Sequence, residues 1–122
     1  MQIFDGLESV RTPFSNSTVA IGAFDGIHAG HQAIILSAVQ AARASGSPSI
    51  VFTFDRHPAD LLRPDKAPDY LTTPSQRAEL ISKMGVDALV VAKFNAALAG
   101  ESPQQFVQTV LVNTLGTKLV VV

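Results

Sequence analysis

Four nearly unbroken apolar runs restrict this chain's fold more than any other feature: TVAIGAF at 18–24, SIVFTFD at 49–55, ALVVAKF at 88–94 and KLVVV at 118–122. β-Branched and aromatic residues follow one another along each run instead of alternating with polar ones. That is the pattern of strands covered on both faces, as in a parallel sheet. Three helix-like segments separate the runs. The first, roughly 28–45, holds Ile35, Val39 and Ala42 at i, i+4, i+7, and Gly46 follows as its stop. The second, roughly 74–84, opens after Thr73 as N-cap and ends at Gly85. The third, roughly 103–115, has Ser102 before Pro103 and Gly116 after it, with Phe106, Val110 and Asn113 on one face and Val107 and Leu111 alongside. The resulting β-α-β-α-β-α-β order predicts right-handed crossovers and a doubly wound α/β sheet.

Two stretches depart from that rhythm. Residues 57–73, HPADLLRPDKAPDYLTT, place three prolines and several charges between a strand and the next helix, which reads as a surface flap. Residues 1–4 carry a weak signal for an edge strand. The final run, KLVVV, reads as a central strand, so the sequence is expected to be a fragment that leaves an edge and part of a ligand cleft open.

At 122 residues and 47% hydrophobic content the chain is the size of one domain with one core. A formal charge of -1, with lysine and arginine scattered, offers no footprint for a nucleic-acid backbone or an anionic membrane. Without cysteine there is no disulfide, thiolate metal site or cysteine nucleophile. The first residues lack a signal-peptide pattern, and no apolar stretch approaches the span of a bilayer. A soluble cytoplasmic protein is expected.

The chemistry concentrates in GAFDGIHAGH, residues 22–31, between the first strand and the first helix. In an open α/β sheet, ligands bind at the carboxyl ends of the strands, where helices begin. Gly22, Gly26 and Gly30 allow close approach of backbone N–H groups, and the helix start adds unpaired donors and positive dipole charge. His28 and His31, spaced i, i+3, can donate to phosphate oxygens, with a proton available near neutral pH. The residues alone leave other readings open: surface histidines at a helix start, or two ligands of a zinc site completed by His57, Asp25 or Asp55. Asp25 also fits a turn or cap, and Phe24 the end of a core strand. There is no P-loop lysine and hydroxyl pair, no G-x-G-x-x-G and no nucleophile elbow.

As a whole, G-x-F-D-G-x-H-x-G-H after an apolar strand resembles the nucleotidyltransferase signature. It is most similar to the N-terminal FMN adenylyltransferase (FAD synthetase) domain of prokaryotic bifunctional riboflavin kinase/FAD synthetases. VFTFDRHP at 51–58, APDYLTT at 67–73, GVDALVV at 85–91, FN at 94–95, SPQQFV at 102–107 and the final KLVVV resemble that family in the same order, from about Val19 onward. Other adenylyl- and cytidylyltransferases share the histidine motif but not the F-D-x-H-P run. Ala23 stands where many members carry asparagine or valine.

The resemblance implies a Rossmann-like sheet of the HxGH type, cut short after its fourth main strand, and the reaction FMN + MgATP → FAD + pyrophosphate. It implies that His28 and His31 are catalytic and bind the ATP phosphates in a pocket shaped by Gly22, Phe24, Asp25, Gly26 and Gly30. His57, Pro58, Leu62 and Lys66 would lie near FMN, Phe106 would either reach the flavin ring or pack in the core, and magnesium would be held by the phosphates rather than by protein ligands. The family continues with a further turn and a serine/threonine-arginine phosphate motif, and then a riboflavin kinase domain, none of which falls within 1–122. The expected partners are ATP and FMN, with homo-oligomerisation left open. Rival expectations are transfer to another phosphorylated acceptor, or a non-catalytic nucleotide- or flavin-binding module.

Overall fold

In the computed structural model, which describes residues 1–10, 14–24, 29–55, 73–93, 100 and 102–122, the four apolar runs form strands and a fifth strand joins them. In chain order the elements are β1 (Gln2–Asp5), β2 (Ser17–Ile21), α1 (Ala29–Ser45), β3 (Ser49–Phe54), α2 (Pro74–Ser82), β4 (Ala88–Ala92), α3 (Pro103–Phe106) running on into a π-helix (Val107–Thr114), and β5 (Thr117–Val121). All strand pairs are parallel, in the order β1-β4-β3-β2-β5.

Alternate side chains of the central strands enter two different cores, which is why their sequences show no polar alternation. Ala20, Val51 and Leu89 face α1 and α2, packing with Ile35, Val39 and Ile81. Val19, Ile50, Phe52, Ala88 and Val90 face the opposite way, onto Val110, Leu111 and Leu115. The chain steps from β2 to β3 to β4 with its helices on one face, then returns past β2 to β5 with its helix on the other. Change of direction and change of face go together, as crossovers of a single hand require. The expected doubly wound sheet is present.

The weak N-terminal signal is a real strand. β1 pairs with β4 at one edge of the sheet, and only Phe4 of its residues packs inward, against Phe14 at 5.8 Å and the second core. One inward residue in four leaves little pattern to read. KLVVV forms β5, the outermost strand on the other side among the described residues. β5 pairs with β2 alone, and Lys118, Leu119 and Val120 are exposed.

Helix boundaries follow local chemistry. Thr73 Oγ1 accepts from the Gln76 backbone N–H at 3.1 Å, while Gln76 Oε1 accepts from the Thr73 N–H at 2.9 Å. Ser102 and Gln105 form the same reciprocal box ahead of α3. Thr73→Ala is expected to cost about 1 kcal/mol, seen as a lowered denaturation midpoint with an unchanged denaturant slope. The three glycines expected to stop helices, Gly46, Gly85 and Gly116, all have positive φ.

The third helix differs from expectation in its winding. From Val107 it follows a π pattern: the Leu115 N–H donates to Val110 O at 3.0 Å, and Thr114 Oγ1 to Thr109 O. Each residue then turns through a smaller angle than in an α-helix, so the chain seven residues after Phe106 no longer returns to the same face. Asn113 is exposed and bonds Gln108, and Val107 is 49% exposed, while Val110, Leu111 and Leu115 fill the core.

At the amino edge of the sheet, Asp87 Oδ2 accepts from both the N–H and the hydroxyl of Ser49. The Asp87 N–H returns a bond to the Ser49 carbonyl at 3.0 Å. This latch ties the beginning of β4 to the beginning of β3.

Candidate active site

Strand order reverses at β2, whose neighbours are β3 on one side and β5 on the other. The carboxyl end of such a strand is where open α/β sheets hold ligands. The stretch GAFDGIHAGH occupies that position, and the structure describes it at Gly22, Ala23, Phe24 and from Ala29 onward. Asp25, Gly26 and His28, and the expected flavin-side residues His57, Pro58, Leu62 and Lys66, lie outside the described residues.

Gly22 extends the β2–β3 ladder by one bond, its N–H donating to Phe52 O at 3.2 Å. The chain then turns sharply. Phe24 takes a left-handed conformation, φ 52, uncommon for a bulky residue, and is 1% exposed. Its ring folds back over Gly22, where a Cβ would lie 2.8 Å from two ring carbons. The glycine of the G-x-F signature therefore makes room for the phenylalanine. On its other side the Phe24 ring meets His31 edge-on, centroids 5.4 Å apart and planes at 86°. Backbone strain of this kind persists only where the surroundings enforce it, and it clusters at functional sites.

His31 is the third residue of the 17-residue α1 and is half-buried. The first turn of α1 holds no acidic side chain, so nothing there opposes an anion at the positive end of the helix dipole. Gly30 is exposed and has no positive φ, and a Cβ on it would meet no atom of the described residues within 4 Å. Among the described residues, neither crowding nor conformation calls for glycine at this position.

Two residues of the site escaped the sequence reading. Thr53 Oγ1 donates to the Ala23 carbonyl at 2.9 Å. Arg77 of α2, only 6% exposed, donates from Nη1 to the same carbonyl at 3.0 Å and from Nη2 to Phe54 O at 2.9 Å. A signal existed for Thr53, a hydroxyl in the middle of the apolar run SIVFTFD and fully buried. Arg77, within TPSQRAEL, reads as an ordinary surface helix residue. Phe106 takes the core role, edge-on to Phe52 at 5.8 Å on the face of the sheet away from Phe24. Among the described residues no three histidine, aspartate or glutamate side chains come together as metal ligands.

The family model for FAD synthetase matches residues 11–122. The chain belongs to the FAD synthetase family. Its relatives include bifunctional riboflavin kinase/FMN adenylyltransferases. That of Listeria monocytogenes is 43% identical over 98 residues, 80% of this chain and 31% of the relative. That of Bacillus subtilis is 39% identical over 84% of this chain and 33% of the relative. The Buchnera aphidicola protein from Acyrthosiphon pisum aligns with all of this chain at 33% identity, covering 39% of the relative. The chain thus spans about a third of the length of those relatives. A solved structure described as a macrolide-efflux protein from Streptococcus pneumoniae superposes with a TM-score of 0.84 at 29% identity, over 99% of this chain and 47% of that one. Among the described residues of this family member, no helix is long and apolar enough to cross a membrane.

Proposed function

We propose that this chain carries the adenylylating site of a longer, bifunctional flavin enzyme and transfers AMP from MgATP to the phosphate of FMN, giving FAD and pyrophosphate. An FMN phosphate oxygen attacks the α-phosphorus in line, the bond to the bridging oxygen of the β-phosphate breaks, and both electrons leave with pyrophosphate. The attacking phosphate is already ionised, so no general base is needed. The protein's task is positioning and stabilising the charge gathering on the leaving group. His31 and the positive end of the α1 dipole serve that charge, with His28 beside them and Gly22, Phe24, Asp25, Gly26 and Gly30 forming the pocket. FMN lies along the segment holding His57, Pro58, Leu62 and Lys66. Magnesium would enter on the triphosphate, held mainly by the phosphates. The reaction belongs to the cytoplasm, and the riboflavin kinase activity to the part of the protein beyond this stretch.

The observation that carries this reading is the match to the FAD synthetase family over residues 11–122, with His31 in the first turn of α1 at the carboxyl end of β2. At Gly30 a Cβ would meet no described atom within 4 Å, which leaves room for a phosphate there. Gly30→Ala should therefore leave thermal stability unchanged or raise it, since alanine outranks glycine in a helix by up to about 1 kcal/mol. It should nevertheless lower adenylylation about 10-fold by displacing the phosphates. Wild-type turnover in that variant would remove the support. The reading as a whole is tested in the full-length protein by pyrophosphate release from MgATP with FMN against a panel of other phosphate monoesters. Release with FMN supports it. Release only with another acceptor, or binding of ATP and FMN without turnover, overturns it.

A further inference from the structure

We propose that Arg77 and Thr53 are positioning residues for adenylylation, acting on His31 through the Ala23 carbonyl and the Phe24 ring; the inference rests on the function proposed above. Beyond Gly22 the chain leaves the β2–β3 ladder, and just there the carbonyls of Ala23 and Phe54 both accept from Arg77. One guanidinium satisfies both. Arg77 reaches from α2 and spans the carboxyl ends of β2 and β3 with Nη1 and Nη2, adding a rung made of a side chain. Thr53 gives the Ala23 carbonyl a second donor.

The peptide fixed in this way leads directly into Phe24. With φ at 52 that residue is held away from its relaxed backbone, and a small rotation of the preceding peptide would swing its ring. The ring is the surface against which His31 stands edge-on. A displacement of the imidazole by a fraction of an ångström to an ångström is enough to cost a large part of the rate, because its donor must meet charge that exists only in the transition state. Arginine is specified over lysine. Its planar fork presents two donors at fixed separation, whereas an ammonium group on a flexible stem cannot hold two carbonyls at that spacing.

The test uses the full-length protein. Arg77→Lys keeps the charge and most of the buried stem, and Thr53→Val keeps the shape of the strand residue while removing its donor. Arg77→Lys is expected to lower kcat about 10- to 100-fold with KM for ATP and FMN within about 3-fold, and Thr53→Val to act in the same direction more weakly. In a His31→Ala background the same substitutions should lower kcat by less than about 3-fold, because the group they position is gone. An equal loss in both backgrounds, or wild-type kcat in Arg77→Lys, overturns the proposal.

A second readout does not depend on turnover. The Phe24 ring current shifts the His31 ring protons in the NMR spectrum; Phe24→Leu should abolish that shift and Arg77→Lys should change it. If FMN is not the acceptor, the kinetic arm fails in the unsubstituted protein while the spectral arm still reads the linkage. Unchanged His31 ring signals in Arg77→Lys overturn the linkage itself.

Discussion

Replacing His31 by alanine is expected to lower FMN adenylylation by about 10²-fold or more, the loss seen when one donor aimed at transition-state charge is removed. The expectation is stronger than a bare motif would license, because the ring's setting is defined. His31 stands in the first turn of a 17-residue helix, half-buried, with its plane at 86° to a phenylalanine that is itself almost wholly enclosed. Such a ring has little freedom to search for its target, so it arrives oriented. The deficit should fall on kcat rather than on KM for ATP, since backbone donors of α1 remain to hold the ground-state phosphates. His31→Gln, which keeps an N–H donor of similar reach, should recover part of the rate. Steady-state pyrophosphate release checks all three statements, and wild-type turnover in His31→Ala would end the assignment.

Gly22→Ala should damage both fold and site. Its new methyl would sit 2.8 Å from two carbons of the Phe24 ring, and that ring is 1% exposed. Overpacking of this kind costs about 1–3 kcal/mol, measurable by denaturant unfolding. The displaced ring would also carry the surface that orients His31, so turnover should fall with stability. The second substitution Phe24→Leu should relieve the overlap and restore much of the stability without restoring the rate. Independent behaviour of the two substitutions would show that the glycine serves some other purpose.

These two cases show what could be read from residues alone. The strands were legible because burial on both faces removes polar alternation, and the helix starts because T-P-S-Q and S-P-Q-Q each write a reciprocal cap. The strand-to-helix junction that holds the glycines and histidines was legible too, Gly22 following β2 and His31 standing in the first turn of α1. The reason for Gly22 was not, since nothing in G-A-F says that the aromatic ring will double back onto the glycine's own backbone. Arg77 was illegible for a different reason. Its importance is set by where α2 lies against β2 and β3, a matter of tertiary placement that no local pattern encodes. The winding of residues 107–114 was also out of reach, because α and π turns draw on the same residues and differ in which carbonyl each N–H finds.

The distant polar clasp between Asp87 and Ser49 acquires a meaning from this. It fixes the start of β4 against the start of β3, a few residues after α2 ends at Ser82. A slip by one residue would shift the strand by about 3.3 Å, farther than a guanidinium could stretch to meet both Ala23 and Phe54. The two ends of β3, five residue steps or about 17 Å apart, are each pinned by a charged side chain: Asp87 at the base and Arg77 at the summit.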